Sequence, residues 1–214
     1  MRVLVVAPDQ DLNTIPEVRQ IQRQHHMSVL HGVVTPADLY QCARDTAFQG
    51  IHYAAHSGPE GVHLSNGVIL TPEDVAQVAR LKHTKLLFFN SCLSGALASY
   101  AVRHGVRYAI HSNINLPDAD AWKLPMAFYE SLQNGHSDDI VAAFRNADSG
   151  DGDYGLQVDP DYLGRLEEAT TAAANVAGSR SLTITTRQAV MMGLGLLTAS
   201  GLLTLLINAL AGRM

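Results

Sequence analysis

Cysteine is scarce in this chain, with Cys42 and Cys92 the two in 214 residues. Two thiols cannot build a disulfide framework, so a stapled secreted scaffold is excluded and a reducing compartment is expected. Basic charge is in deficit. Fifteen Lys and Arg stand against 20 Asp and Glu, a formal net charge of −5, which offers no broad surface for nucleic acid. No signal peptide is read at the start, because "MRVLVVAP" is too short for one and breaks at Pro8 and Asp9. There is no internal repeat. No zinc set is apparent either. His52 and His56 have the spacing of a helical metal pair, yet they fall in a strand-like run, and no Glu or Cys nearby completes a ligand set. No cofactor is expected.

The largest absence is of charge itself. Between Arg187 and Arg213 no residue is ionisable. A run of about 20 apolar residues suffices to cross a bilayer core, and this one is apolar on nearly every face, unlike a buried helix with a polar edge. Residues 188–212 are therefore expected to form one transmembrane helix. The globular part would stay on the side of synthesis, with Arg180 and Arg187 on that flank and Arg213 beyond. This predicts a single-pass protein of the inner membrane with its folded domain facing the cytoplasm. Ser200, Thr204 and Asn208 recur every four residues beside Gly195 and Ala199. Such a face favours another helix over lipid, so homo-oligomerisation is expected together with contact to membrane lipid.

The remainder alternates apolar β-branched runs with amphipathic ones. "RVLVVAP", "MSVLHGVV", "GIHYAAHSG", "TKLLFFNSC" and "VRYAIHSN" read as strands. Between them, "NTIPEVRQIQRQHH" carries Ile15, Val18 and Ile21 at helical spacing. "TPADLYQCARDTAFQ" and "TPEDVAQVARLKH" open with a Thr cap and a first-turn Pro. Asn66-Gly67 marks a hairpin. Two further helices are expected after the fifth strand. The class is α/β with a mainly parallel sheet. Its domain is expected over residues 1–147, followed by an acidic and then small-polar linker over 148–187. His25-His26 is read as a cationic cap at the end of the first helix.

In such a sheet, active groups collect beyond the carboxyl ends of the strands. His56 ends the third strand and Cys92 the fourth. A neighbouring imidazole and a following helix N-terminus both favour the thiolate. The amides of Gly58 and Cys92 are candidate donors to an oxyanion. A lone buried cysteine is ordinarily a small core hydrophobe. The informative feature is that both residues stand in the same relation to successive strands.

"AAHSG" followed by "LLFFNSCLSG" resembles the caspase-like cysteine peptidases of clan CD. The downstream pattern "VRYAIHSNINLPDADAWKLPMAFYESLQNGHSDDIVAAFRNA" resembles the bacterial branch called CHAT domains. The resemblance covers roughly residues 1–147. It implies a three-layer α/β/α sandwich and a protein substrate. It also implies His56 as general base, Cys92 as nucleophile, and Gly58 and Cys92 as the oxyanion hole. Metacaspases of this clan carry an acid two residues before the cysteine, where this chain has Asn90. Asp118 or Asp120 could hold a basic substrate side chain instead, or simply cap the next helix.

The expected function is a membrane-tethered cysteine endopeptidase. The resemblance extends this to an effector in bacterial defence or cell death. Two other readings stay open: a catalytically silent adaptor, and a tail that oligomerises to disrupt the bilayer.

Overall fold

A computed structural model describes residues 1–8, 12–117, 119–134, 139–165 and 168. The chain divides into two units, Met1–Asp159 and Pro160–Met214. In the second unit, residues 160–165 are helical. The expected membrane helix, with Ser200, Thr204 and Asn208, lies outside the described residues. Among those described, no helix is long and apolar enough to cross a membrane.

The first unit is built on a six-stranded sheet. Its strands are β1 (Arg2–Pro8), β2 (His26–Gly32), β3 (Gly50–Ala54), β7 (Leu86–Asn90), β8 (Tyr108–Ser112) and β9 (Tyr154–Val158), in the order β2-β1-β3-β7-β8-β9. Beside it lies a small antiparallel sheet of β4 (Ser57–Gly58), β5 (Gly61–His63) and β6 (Ile69–Leu70). The helices are α1 (Ile15–Gln24), α2 (Pro36–Asp45), α3 (Pro72–Arg80), α4 (Gly95–Arg103), α5 (Lys123–Gln133) and α6 (Ile140–Ala147).

Strand residues alternate between two faces, and the burial follows that period. Leu4, Val6, Ile51, Tyr53, Leu87, Phe89 and Ala109 pack with Leu39, Val75, Val78 and Leu97 of α2, α3 and α4. His52 and Phe88, at the intervening positions, stack against Phe128 and Tyr129 of α5. Helices α1 and α6 pack on α5. The result is a three-layer α/β/α sandwich. Burial of an aliphatic or Phe side chain contributes about 1.5–3 kcal/mol, and both sheet faces are covered this way.

The Thr-Pro starts behave as expected. Thr35 and Asp38 cap each other at α2, as do Thr71 and Asp74 at α3. Asn66 and Gly67 turn the chain between β5 and β6 with φ of 59° and 73°. Two expectations need correction. Ile15 is 53% exposed, so the buried stripe of α1 does not run through it; the stripe runs instead through Glu17 and Ile21, one helical step apart. The second concerns the linker. Residues 154–158 are not tether but the antiparallel edge strand β9, paired with β8 from Ser112↔Tyr154 to Tyr108↔Val158. Five alternating residues are easily hidden among flanking acids. Those acids build the turn before the strand, where Asp151 accepts from Ser149 Oγ and from the Asp153 amide.

Gly155 of β9 lies against His111 of β8. A Cβ there would come within 2.8 Å of the His111 ring, which is buried. Gly155→Ala is therefore expected to lower stability by roughly 1–3 kcal/mol through overpacking. Urea unfolding measures this. An unchanged midpoint would show that β9 does not pack here.

Candidate active site

Strands β3 and β7 are parallel neighbours, with Ala54 opposite Asn90. His56 and Cys92 each follow that last pair by two residues, so the chain leaves both strands at one level. Both line a single cleft of about 410 Å³, part of it open solvent, together with Glu17, Asn90, Ser91, Leu116 and Trp122.

The cysteine turn is held from several sides. Ser57 Oγ donates to the Cys92 carbonyl at 2.6 Å, tying the histidine turn to the cysteine turn. Leu93 has φ of +46°, and its amide donates to Ile114 O at 3.1 Å. A non-glycine residue in that region stores about 1–3 kcal/mol, retained where surrounding bonds over-determine it. Ser94 Oγ donates to Ser91 O at 3.0 Å and accepts from the Ser112 amide at 3.0 Å. Cys92 Sγ lies 4.0 Å from the Leu116 carbonyl, the limit of a weak S–H···O contact. Helix α4 begins at Gly95, so two residues separate the thiol from the helix that the sequence places directly after it.

On the histidine side, the His63 amide donates to His56 O at 2.9 Å. Ser57 pairs with Val62 and Gly58 with Gly61. In an antiparallel ladder, opposed pairs alternate between bonded and non-bonded. The His63–His56 bond makes Ser57/Val62 the non-bonded pair and Gly58/Gly61 the bonded one. The Gly58 N–H therefore faces β5, while the Ser57 N–H faces away from it. In this hairpin the left-handed glycine is Gly61, with φ of +146°; Gly58 is not left-handed.

Beneath the cleft is a buried polar chain that sequence reasoning missed. Glu17 is 3% exposed. Its Oε2 accepts from Asn90 Nδ2, and Asn90 Oδ1 accepts from Tyr154 OH at 2.8 Å. His52 Nε2 lies 3.5 Å from Glu17 Oε1, close enough to attract yet beyond good hydrogen-bond length. Both atoms lack a hydrogen-bond partner. Tyr129 OH lies 3.3 Å from His52 Nδ1. Burial first, and the Glu17 charge second, push the hydroxyls of Tyr129 and Tyr154 well above the ordinary tyrosine range, so both stay protonated donors. The signal for Glu17 was its place one turn before Ile21; Tyr154 lay inside the acidic stretch.

The structure thus brings His56, Cys92 and Asn90 together. Asp120 is not among the described residues that line the cleft; its carboxylate pairs with Lys123 Nζ at 2.5 Å on the surface. Asp118 lies outside the described residues. Cys42 is half-buried in α2, where burial and Asp45 raise its thiol pKa. His25 stands at the C-cap of α1, as the sequence suggested, with its Nε2 3.1 Å from Tyr129 O, and burial lowers its pKa; His26 begins β2. Among the described residues no cluster of His, Cys, Asp and Glu is suited to a metal ion.

A family model described as CHAT domain matches residues 7–149. Among solved structures, the Arg-specific cysteine proteinase gingipain R is similar at a TM-score of 0.51 and 13% identity, covering 68% of this chain and 40% of that one. The complex of the pro- and mature domains of the gingipain from Porphyromonas gingivalis gives 0.51 at 12% identity, covering 74% and 47%. The chain spans less than half the length of either structure, and at such identities the likeness concerns the fold. No curated protein matches the sequence.

The Asn90 amide explains why an acid is absent there: it donates to one buried carboxylate. Asn90→Asp would set two carboxylates side by side, at a cost of about 3–5 kcal/mol for an uncompensated buried charge. Adding Glu17→Gln reverses the polarity of the bond and is expected to recover most of the loss. Denaturant melts of the four proteins in this cycle test it; a double variant no more stable than Asn90→Asp would refute the pairing.

Proposed function

The chain belongs to the CHAT domain family, and we propose that it is a cysteine endopeptidase with His56 as general base and Cys92 as nucleophile. The observation that carries this is the β3–β7 register, which ends two neighbouring strands so that one cleft receives both side chains. His56 takes the Cys92 thiol proton as sulfur attacks the scissile carbonyl. The C–N bond breaks as the imidazolium returns that proton to the leaving amine. Water, deprotonated by His56, then attacks the thioester and releases the acid and the thiol.

The developing oxyanion needs backbone donors already in place. The Cys92 amide is one in this reading. On the histidine side the ladder pattern favours the Ser57 amide over that of Gly58. The Ser57–Cys92 bond keeps both turns in fixed relation during the reaction. A catalytically silent adaptor would have no need for such a held pair.

The uncharged run 188–212 supports a membrane tether as part of the proposal, with the peptidase unit on the cytoplasmic side and the small-residue face associating copies. The role as a defence or cell-death effector rests on family resemblance.

The test is peptide-bond cleavage by the full-length protein in membranes or detergent. Cys92→Ala and His56→Ala are each expected to reduce turnover at least ~10³-fold, because members of one catalytic unit fail singly, with melting temperatures near wild type. Near-wild-type cleavage by either folded variant would overturn the dyad.

A further inference from the structure

Strands β7 and β8 stop pairing before either reaches the cleft. Their last paired residues are Phe88 and Ile110, whereas β7 runs on to Asn90 and β8 to Ser112. Asn90 keeps its ladder partner Ala54 on the β3 side and has none on the β8 side. Tyr154 of β9 fills that gap. It pairs with Ser112 on the other side of β8, and its hydroxyl reaches across β8 to donate to Asn90 Oδ1 at 2.8 Å. The same hydroxyl lies 3.5 Å from Ala121 O, at the outer limit of a hydrogen bond. Asn90 and Ala121 both line the cleft, and Tyr154 is not among the described residues that do.

The geometry points to Tyr154 as a positioning residue for the reaction: through Asn90 it holds the entry of the cysteine turn where Cys92 meets His56. This rests on Cys92 and His56 being the catalytic pair. The exit of the turn has several anchors, with the Leu93 amide bonded to Ile114 O and Ser94 Oγ bonded to Ser91 O and the Ser112 amide. Its entry has fewer. Ser91 Oγ makes no hydrogen bond, so the side-chain bonds of Asn90 fix the chain there. A carboxamide can sit either way round, offering an acceptor at one end and donors at the other. Glu17 takes the amide donor and Tyr154 supplies the hydroxyl donor, so the two neighbours together allow one orientation. Burial, then the charges of Glu17, Asp153 and Cys92, keep the Tyr154 proton in place, and the donor is present at neutral pH and well above it. Strand β9 follows residues 7–149, which the family model matches, so this brace is supplied from outside the matched region.

The experiment follows alkylation of Cys92 by iodoacetamide at about pH 7 and about pH 10, in full-length protein in detergent, with each site quantified by mass spectrometry. The probe needs no substrate and reports the pairing of thiol and imidazole. Tyr154→Phe removes one oxygen and keeps the ring packed. It is expected to lower the ratio of the neutral to the alkaline rate at least ~3-fold, because a displaced turn loses the imidazole's help at neutral pH. Cys42 is expected to react as in the wild type. A Cys42 rate rising along with the change at Cys92 would mark a loss of fold rather than of position and overturn the inference. A second arm uses Glu17→Gln combined with Asn90→Ala, which removes the link and leaves no buried charge bare. In that background Tyr154→Phe is expected to change the ratio no further. An equal loss with and without Asn90 would show the hydroxyl acting by another route and overturn the role. An unchanged ratio in Tyr154→Phe, with His56→Ala lowering it, would overturn the positioning role and leave the dyad standing. No effect of either substitution would overturn the dyad and this inference with it.

Discussion

The parallel register between β3 and β7 is the constraint from which the rest of the site follows. Ala54 opposite Asn90 fixes where each chain leaves the sheet, and the sheet itself is fixed by burial on both faces. A slip of one residue would turn every strand side chain to the other face. Phe88 would leave the aromatic cluster of α5, Phe89 would leave Tyr53, and Asn90 would swing away from Glu17. The proposed dyad lies just beyond that pair, where the chain is no longer bound by the ladder and is held by Ser57, Ser94 and the end of β8 instead.

A second constraint is electrostatic. Placing a carboxylate among Asn90, His52, Tyr129 and Tyr154 works against the hydrophobic logic of the core, because a buried charge recovers its solvation only through good hydrogen bonds. The protein holds one oxygen by a hydrogen bond from Asn90 and leaves the other 3.5 Å from His52 Nε2, without a hydrogen bond. The helix α1 that carries Glu17, the strand β9 that carries Tyr154 and the strand β7 that carries Asn90 come from distant parts of the chain. The polar chain thus locks three elements around the cleft, and disturbing any of them is felt by the others. Strand β9 is then more than an edge: without it, Asn90 loses the donor that orients its amide.

The layered fold was legible because burial on both sheet faces writes continuous apolar runs, and the Thr-Pro helix starts write their own caps. His56 and Cys92 were legible because each ends such a run. Glu17 was not, since one acid in the first turn of an amphipathic helix reads as a favourable dipole partner; its burial is decided by tertiary packing against Asn90. Strand β9 was hidden for a related reason. Tyr154, Leu156 and Val158 alternate over five residues only, and the surrounding acids dominate any local average. The oxyanion side shows a subtler gap. The glycine at 58 suggested backbone freedom, but which amide faces outward depends on ladder parity, and parity is set by the His56–His63 bond.

The two cysteines supply an internal comparison for the central claim that His56 and Cys92 work as a pair. Cys42 is half-buried, and burial and Asp45 hold its thiol protonated, whereas Cys92 shares a cleft with an imidazole. Alkylation of the folded full-length protein by iodoacetamide at neutral pH, with each site quantified by mass spectrometry, measures their reactivity side by side. The account predicts that Cys92 reacts at least ~10-fold faster than Cys42, and that His56→Ala removes most of this advantage while leaving Cys42 unchanged. Equal alkylation of the two thiols in the wild type, or an undiminished Cys92 rate in a folded His56→Ala protein, would contradict it.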